Sequence, residues 1–182
     1  MTQQIPFSFT EDNTMRNRNR HLTRAAIIAA LYAVLTHLQN LILPGSASWA
    51  IQCRLSEALC VLALFTPAAI PGLTIGCLLF NITSGAVLPL DFLVGSAATF
   101  LATTAMWNLR NIRFSGYPLA AMMMPALTNA ILVGWELSVY IGGGLFINGL
   151  YVATGELIVL LIFGSVLYWL MKKRHLDQIL FQ

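Results

Sequence analysis

The chain has 182 residues, of which 58% are hydrophobic and only 9% are charged, with a mean hydropathy of +0.75. A soluble domain carries roughly a quarter charged residues, so this composition excludes an ordinary water-soluble globule and points to an integral membrane protein. The formal net charge of +3 is sorted by position rather than spread over a surface. No basic stripe interleaved with aromatics is present, which excludes a nucleic-acid partner.

Residues 1–20, "MTQQIPFSFTEDNTMRNRNR", are polar and without sustained periodicity, and read as a flexible tail. Arg16, Arg18, Arg20 and Arg24 then lead into "AAIIAALYAVLTHLQNLIL". That stretch is longer than the apolar region of a signal peptide and further spans follow it, so it reads as a first transmembrane helix. The connector "PGSASWAIQ" follows. Further apolar spans cover about 54–67, 69–85, 88–109, 117–141 and 147–171. The second and third spans are short and separated by "TPAAIPG"; short, Pro/Gly-broken spans recur where transporters build binding sites. The expectation is an all-α membrane domain over 21–175, a bundle of six transmembrane helices, with a short C-terminal tail over 176–182.

Orientation follows from the basic residues. Arg16 to Arg24, then Arg110 and Arg113, then Lys172, Lys173 and Arg174 all fall on one face if there are six spans. The excess of Lys and Arg makes that face, and with it both termini, cytoplasmic in a multi-pass plasma-membrane protein. Arg54 alone lies on the opposite side.

Charged groups inside spans are costly and mark functional sites by default. Glu57 sits one turn into the second span, three residues after Arg54. Asp91, Glu136 and Glu156 lie in the outer halves of three other spans. Arg54 and Glu57 at i,i+3 either neutralise each other at a helix start or belong to a site. Asp91, Glu136 and Glu156 have no basic partner in their own helices. The four acids against Arg54 leave a formal excess of three negative charges, and they suggest one cavity open to the outside. Asn81 and Asn129 are intramembrane amides, which either bond helix to helix or reach a ligand. Trp135, adjacent to Glu136, is a candidate site aromatic, whereas Trp49 and Tyr140 read as interfacial belt residues.

Cys53, Cys60 and Cys77 form no CxxC pair and read as small apolar side chains, with no metal site. No GxxxxGK[ST], HExxH or GxSxG motif is present, so ATP hydrolysis and hydrolase chemistry by this chain are not expected. In the first span Ala25, Ala29 and Ala33 recur every fourth residue, as do Ala26 and Ala30. Such stripes let a second helix approach closely, either inside the bundle or from a partner.

The runs "RLSEAL", "FTPAAIPGLTIGCLLFN", "DFLVGSAATFLAT", "PALTNAILVGWEL" and "GELIVL" resemble, in the same order from Arg54 to Leu161, the QueT family. Its members are substrate-capturing S components of energy-coupling factor (ECF) transporters, associated with queuosine precursors. The resemblance implies a six-helix bundle that captures a 7-deazaguanine from outside: 7-aminomethyl-7-deazaguanine, its nitrile precursor, or queuine. It also implies docking, through the alanine stripe, on a transmembrane coupling subunit driven by two ATPase subunits. ATP would then be used by those partners, and this chain would hold no cofactor. The competing expectation is a self-sufficient proton-coupled carrier in which the lone acids relay protons. An intramembrane enzyme is the remaining class.

Overall fold

The computed structural model describes residues 8–44, 53–84 and 90–181, with side chains from Met15 onward. The elements in chain order are α1 (Ser8–Ile42), a 3₁₀ helix (Leu55–Leu64), α2 (Ala69–Thr83), α3 (Asp91–Leu109), a short α4 (Leu119–Met122) and α5 (Met124–Tyr140). Then follow α6 (Leu145–Val159), a π-helical turn (Leu160–Gly164), α7 (Ser165–Lys173) and α8 (Leu176–Phe181). Among the described residues there is no strand beyond the isolated bridge between Phe114 and Tyr117.

Among the described residues, four helical runs are long and apolar enough to cross a membrane: Met15–Ile42, Asp91–Leu109, Leu119–Tyr140 and Leu145–Lys173. The 3₁₀ helix and α2 are apolar but shorter. At ~2 Å per residue the 3₁₀ helix spans about 20 Å, less than the ~30 Å hydrocarbon layer. The expected second and third spans are therefore present as apolar helices shorter than a full crossing. Residues 8–20, expected to be an irregular tail, are helical from Ser8 and continue α1, and the expected C-terminal tail folds as α8.

α1 packs on α2, α2 on α3, α3 on α5, and α5 on α6, while the 3₁₀ helix runs through the middle and touches α1, α2, α3, α6 and α7. Eight of its ten residues are buried, which makes it the central pillar. Beside an apolar core, the bundle gathers its charged groups inside and covers its outside with large apolar side chains. Thr36, Arg54, Glu57, Asp91, Glu136 and Glu156 are inside, whereas Ile27, Leu31, Leu38, Leu93, Leu101, Ile131 and Ile158 face outward. This is what hydrocarbon requires of a bundle that keeps its polar groups together.

Small residues set the closest contacts. A Cβ added to Gly72 would lie 2.8 Å from the Ala25 carbonyl oxygen, and one on Gly76 would lie 2.8 Å from that of Ala29. Ala25 and Ala29 are accordingly buried against α2, which corrects their assignment to a partner-docking face. Ala26 and Ala30 point outward, and Ala33 is half-buried. α5 and α6 meet in the same way, with a Gly134 Cβ 2.7 Å from the Gly149 Cα.

The basic clusters sit near one end. Lys172 lies over the Phe65 ring, and Tyr168 contacts both Phe65 and Tyr117. Arg110 stacks on Trp107 near the end of α3, and the Arg24 Nη1 donates to the Phe181 carbonyl of α8 at 3.1 Å. At the other end, Gly142, Gly143 and Gly144 all have φ near +84° or +82°, a left-handed run open to glycine. The Asn148 Nδ2 ties this turn down by donating to the Gly142 carbonyl at 2.7 Å.

Candidate functional site

The 3₁₀ geometry explains why the polar head of the central helix is organised as it is. Side chains at i and i+3 eclipse in a 3₁₀ helix, so Arg54, Glu57, Cys60 and Ala63 fall on one face. All four are buried. α1 meets them with Tyr32, Thr36 and Gln39, which share a helix face at spacings of four and three. The Tyr32 hydroxyl donates to the Glu57 Oε1, and the Cys60 thiol donates to the Glu57 Oε2 at 3.1 Å. The Thr36 and Ser56 hydroxyls are 2.7 Å apart. Gln39 accepts from the Leu55 N–H at 2.7 Å and donates to the Cys53 carbonyl. These bonds satisfy backbone groups at the start of the pillar that its own helix leaves open.

Arg54 turns away from the expected i,i+3 pairing. Its Nη2 donates to the Asp91 Oδ2 at 3.2 Å, with both side chains 5% exposed. The ion pair thus bridges the pillar to the start of α3, while Glu57 is taken up by Tyr32 and Cys60. Asn81 on α2 joins the same cluster by donating its Nδ2 to the Asp91 main-chain carbonyl at 2.8 Å. Gly95 leaves room beside them: a Cβ there would lie 3.0 Å from the Asn81 Nδ2 and 3.1 Å from the Asp91 Oδ1.

The third part of the site lies between α5 and α6. The Asn129 Nδ2 donates to the Glu156 Oε1 at 2.8 Å. Glu156 stands one turn before the π-helical turn, an insertion that often marks a functional site. Glu136 lies two turns along α5 from Asn129, on the same face. It is 1% exposed. Glu156 is within electrostatic reach of Glu57 and Arg54, and Glu136 of Asp91 and Arg54, so the acids from four elements converge.

The hydrogen-bond inventory separates them. Glu57 has a donor on each oxygen. Asp91 and Glu156 each have one side-chain oxygen without a partner among the described residues, and Glu136 has two. The Asn81 Oδ1 also lacks a partner. A buried acceptor left unpaired costs about 1–3 kcal/mol, more when it is charged. This arrangement accepts hydrogen bonds and negative-charge compensation from something that brings donors. Among the described residues no three His, Cys, Asp or Glu groups are arranged to hold a metal ion.

Seven of the residues singled out in the sequence therefore share one buried region: Arg54, Glu57, Asn81, Asp91, Asn129, Glu136 and Glu156. Trp135 does not join them. It is 48% exposed, because neighbouring residues on a helix point about 100° apart and Glu136 takes the inward direction. The expected open cavity is also corrected: the acids are covered, none more than 3% exposed. Trp49 lies outside the described residues. Tyr32, Thr36, Gln39 and Gly95 were not singled out; the 4-and-3 spacing of three polar residues in an apolar helix was the available signal.

An apolar exterior around a buried acidic cluster is the arrangement of a multi-pass helical membrane protein. The model of the QueT transporter family matches residues 22–173, and the chain belongs to that family. Searches of curated proteins and of solved structures find no match.

Proposed function

We propose that this chain is the membrane-embedded substrate-binding S component of an ECF importer, capturing a queuosine precursor of the 7-deazaguanine class. Membership of the QueT transporter family supports this reading. The single observation that carries it is the set of unpaired carboxylate oxygens on Glu136, Glu156 and Asp91. The pyrimidine edge of a 7-deazaguanine presents a ring N–H and an exocyclic amine, a matched pair of donors for such oxygens. In this reading all six apolar helices, including the two short ones, form the S-component bundle in the plasma membrane. The basic end faces the cytoplasm.

Energy would come from outside the chain, through a coupling subunit and two ATPase subunits. The outward-facing Ala26 and Ala30 are the small residues that fit a docking helix. Ala26→Trp with Ala30→Trp is expected to abolish co-purification with the coupling subunit while the isolated chain still binds ligand.

The direct test is calorimetric titration of the purified protein with 7-deazaguanine precursors against guanine. Saturable binding of a precursor at least tenfold tighter than guanine supports the proposal; equal or absent binding contradicts it. Glu136, buried and unpaired, also suits a proton relay, the alternative reading of a self-sufficient carrier. Uptake by the chain alone in proteoliposomes, driven by a pH gradient, would favour that reading.

A further inference from the structure

We propose that Glu136 is the specificity-determining counter-ion of the site, selecting a ligand that carries a protonated amine over a neutral analogue of the same shape. The inference rests on the S-component reading above and assigns separate tasks to its acids. Glu57 already has a donor on each oxygen, the Tyr32 hydroxyl and the Cys60 thiol, so neither oxygen stands unpaired. Asp91 is neutralised by Arg54 at 3.2 Å and keeps only its Oδ1 open. Glu156 is half-engaged by Asn129 and keeps only its Oε2 open. Glu136 alone has two unpaired oxygens, no cation bonded to it among the described residues, and 1% exposure.

A buried carboxylate with no partner is costly enough that it is retained where something compensates it. A neutral ligand offers donors but leaves the charge, whereas an ammonium supplies both, and its N⁺–H···O⁻ bonds are roughly twice as strong as neutral ones. The spacing agrees. Asn129, which holds Glu156, and Glu136 are seven residues apart on one face of α5, about 10 Å along the axis. One small cation would sit at either carboxylate and leave the other bare. A bicyclic heteroaromatic with an N–H-rich edge at one end and an amine at the other reaches both. Glu156 Oε2 then takes the neutral N–H edge and Glu136 takes the cation.

The test uses the purified full chain and two probes that differ at one substituent, 7-aminomethyl-7-deazaguanine (cationic) and 7-cyano-7-deazaguanine (neutral). Wild type is expected to bind the amine at least tenfold more tightly. Glu136→Gln should lose at least tenfold for the amine and less than threefold for the nitrile, collapsing the preference. Glu136→Asp keeps the charge and should keep the preference. Glu156→Gln should weaken both ligands by the same factor. Ligand-free Glu136→Gln should melt no lower than wild type, because the change removes a buried carboxyl whose two oxygens have no partner among the described residues. Equal affinity of wild type for the two probes, equal losses in Glu136→Gln, or a substantially lower melting temperature of that variant would overturn the inference and leave the S-component reading standing. Failure of folded wild type to bind either probe would overturn both.

Discussion

The two sides of the buried site are built on opposite principles. Around the 3₁₀ pillar, Tyr32, Cys60 and Arg54 occupy oxygens of Glu57 and Asp91, so the charges are held by the protein's own donors. Between α5 and α6, Glu136 and the Oε2 of Glu156 are buried without such donors. The difference separates structure from recognition within a single acidic cluster. In the function proposed above, acids on the first side chiefly hold the central helix in place, and acids on the second side meet the ligand. Mutations on the first side should therefore register mainly in stability, and mutations on the second mainly in affinity.

The largest effect is expected from Arg54→Ala, which strands Asp91 as a buried charge and should cost about 3–5 kcal/mol, read by thermal unfolding in detergent. Arg54→Ala combined with Asp91→Ala should cost less than the sum of the two single changes, since each removes the same partner. Strict additivity would separate the two residues and weaken the comparison. Tyr32→Phe comes next: it deletes the donor to the Glu57 Oε1, a hydrogen bond to a charged group worth about 1.5–3 kcal/mol, and should lower stability while changing affinity little. Glu156→Gln should do the reverse, weakening ligand binding about tenfold, or ~1.4 kcal/mol, with melting unchanged.

The smallest effect sets a baseline outside the site. Lys172 donates to Asp177 at 2.8 Å near the cytoplasm-facing end proposed above, and that hydrogen bond holds the Asp177 carboxyl below its usual value of 3.8. A depressed carboxylate stabilises the fold above the unfolded value and loses this contribution as pH falls through the folded one. Because Lys172 is 44% exposed, Asp177→Asn should cost only ~0.2–1 kcal/mol. The difference between this variant and wild type should shrink on acidification below pH 4.

How far the sequence discloses this arrangement depends on whether a signal is local. Glu57, Asp91, Glu136 and Glu156 are conspicuous because charge in an apolar run has few bland explanations, and the same holds for Asn81 and Asn129. The pairing of Arg54 with Asp91 is not local. The two are 37 residues apart, and the nearer Glu57 is the natural guess until Tyr32 is seen to claim it. The 3₁₀ geometry of the pillar was not legible, because i,i+3 spacing such as that of Arg54 and Glu57 also shares a face of an α-helix and such long 3₁₀ helices are uncommon. The alanine stripe was legible as a close-packing surface, but not which of its two faces looks inward. That choice is made by Gly72 and Gly76 on α2, whose bare Cα atoms admit Ala25 and Ala29. Trp135 misled by adjacency in sequence, which on a helix is separation in space.

The measurement that bears most directly on the division of labour is a ligand-bound structure of the wild-type protein with 7-aminomethyl-7-deazaguanine. Ligand nitrogens are expected within hydrogen-bond distance of Glu136 and of the Glu156 Oε2, with the Arg54–Asp91 and Tyr32–Glu57 contacts unchanged. A ligand seated on Arg54 and Glu57 after those contacts have opened, with Glu136 still unpaired, would contradict it.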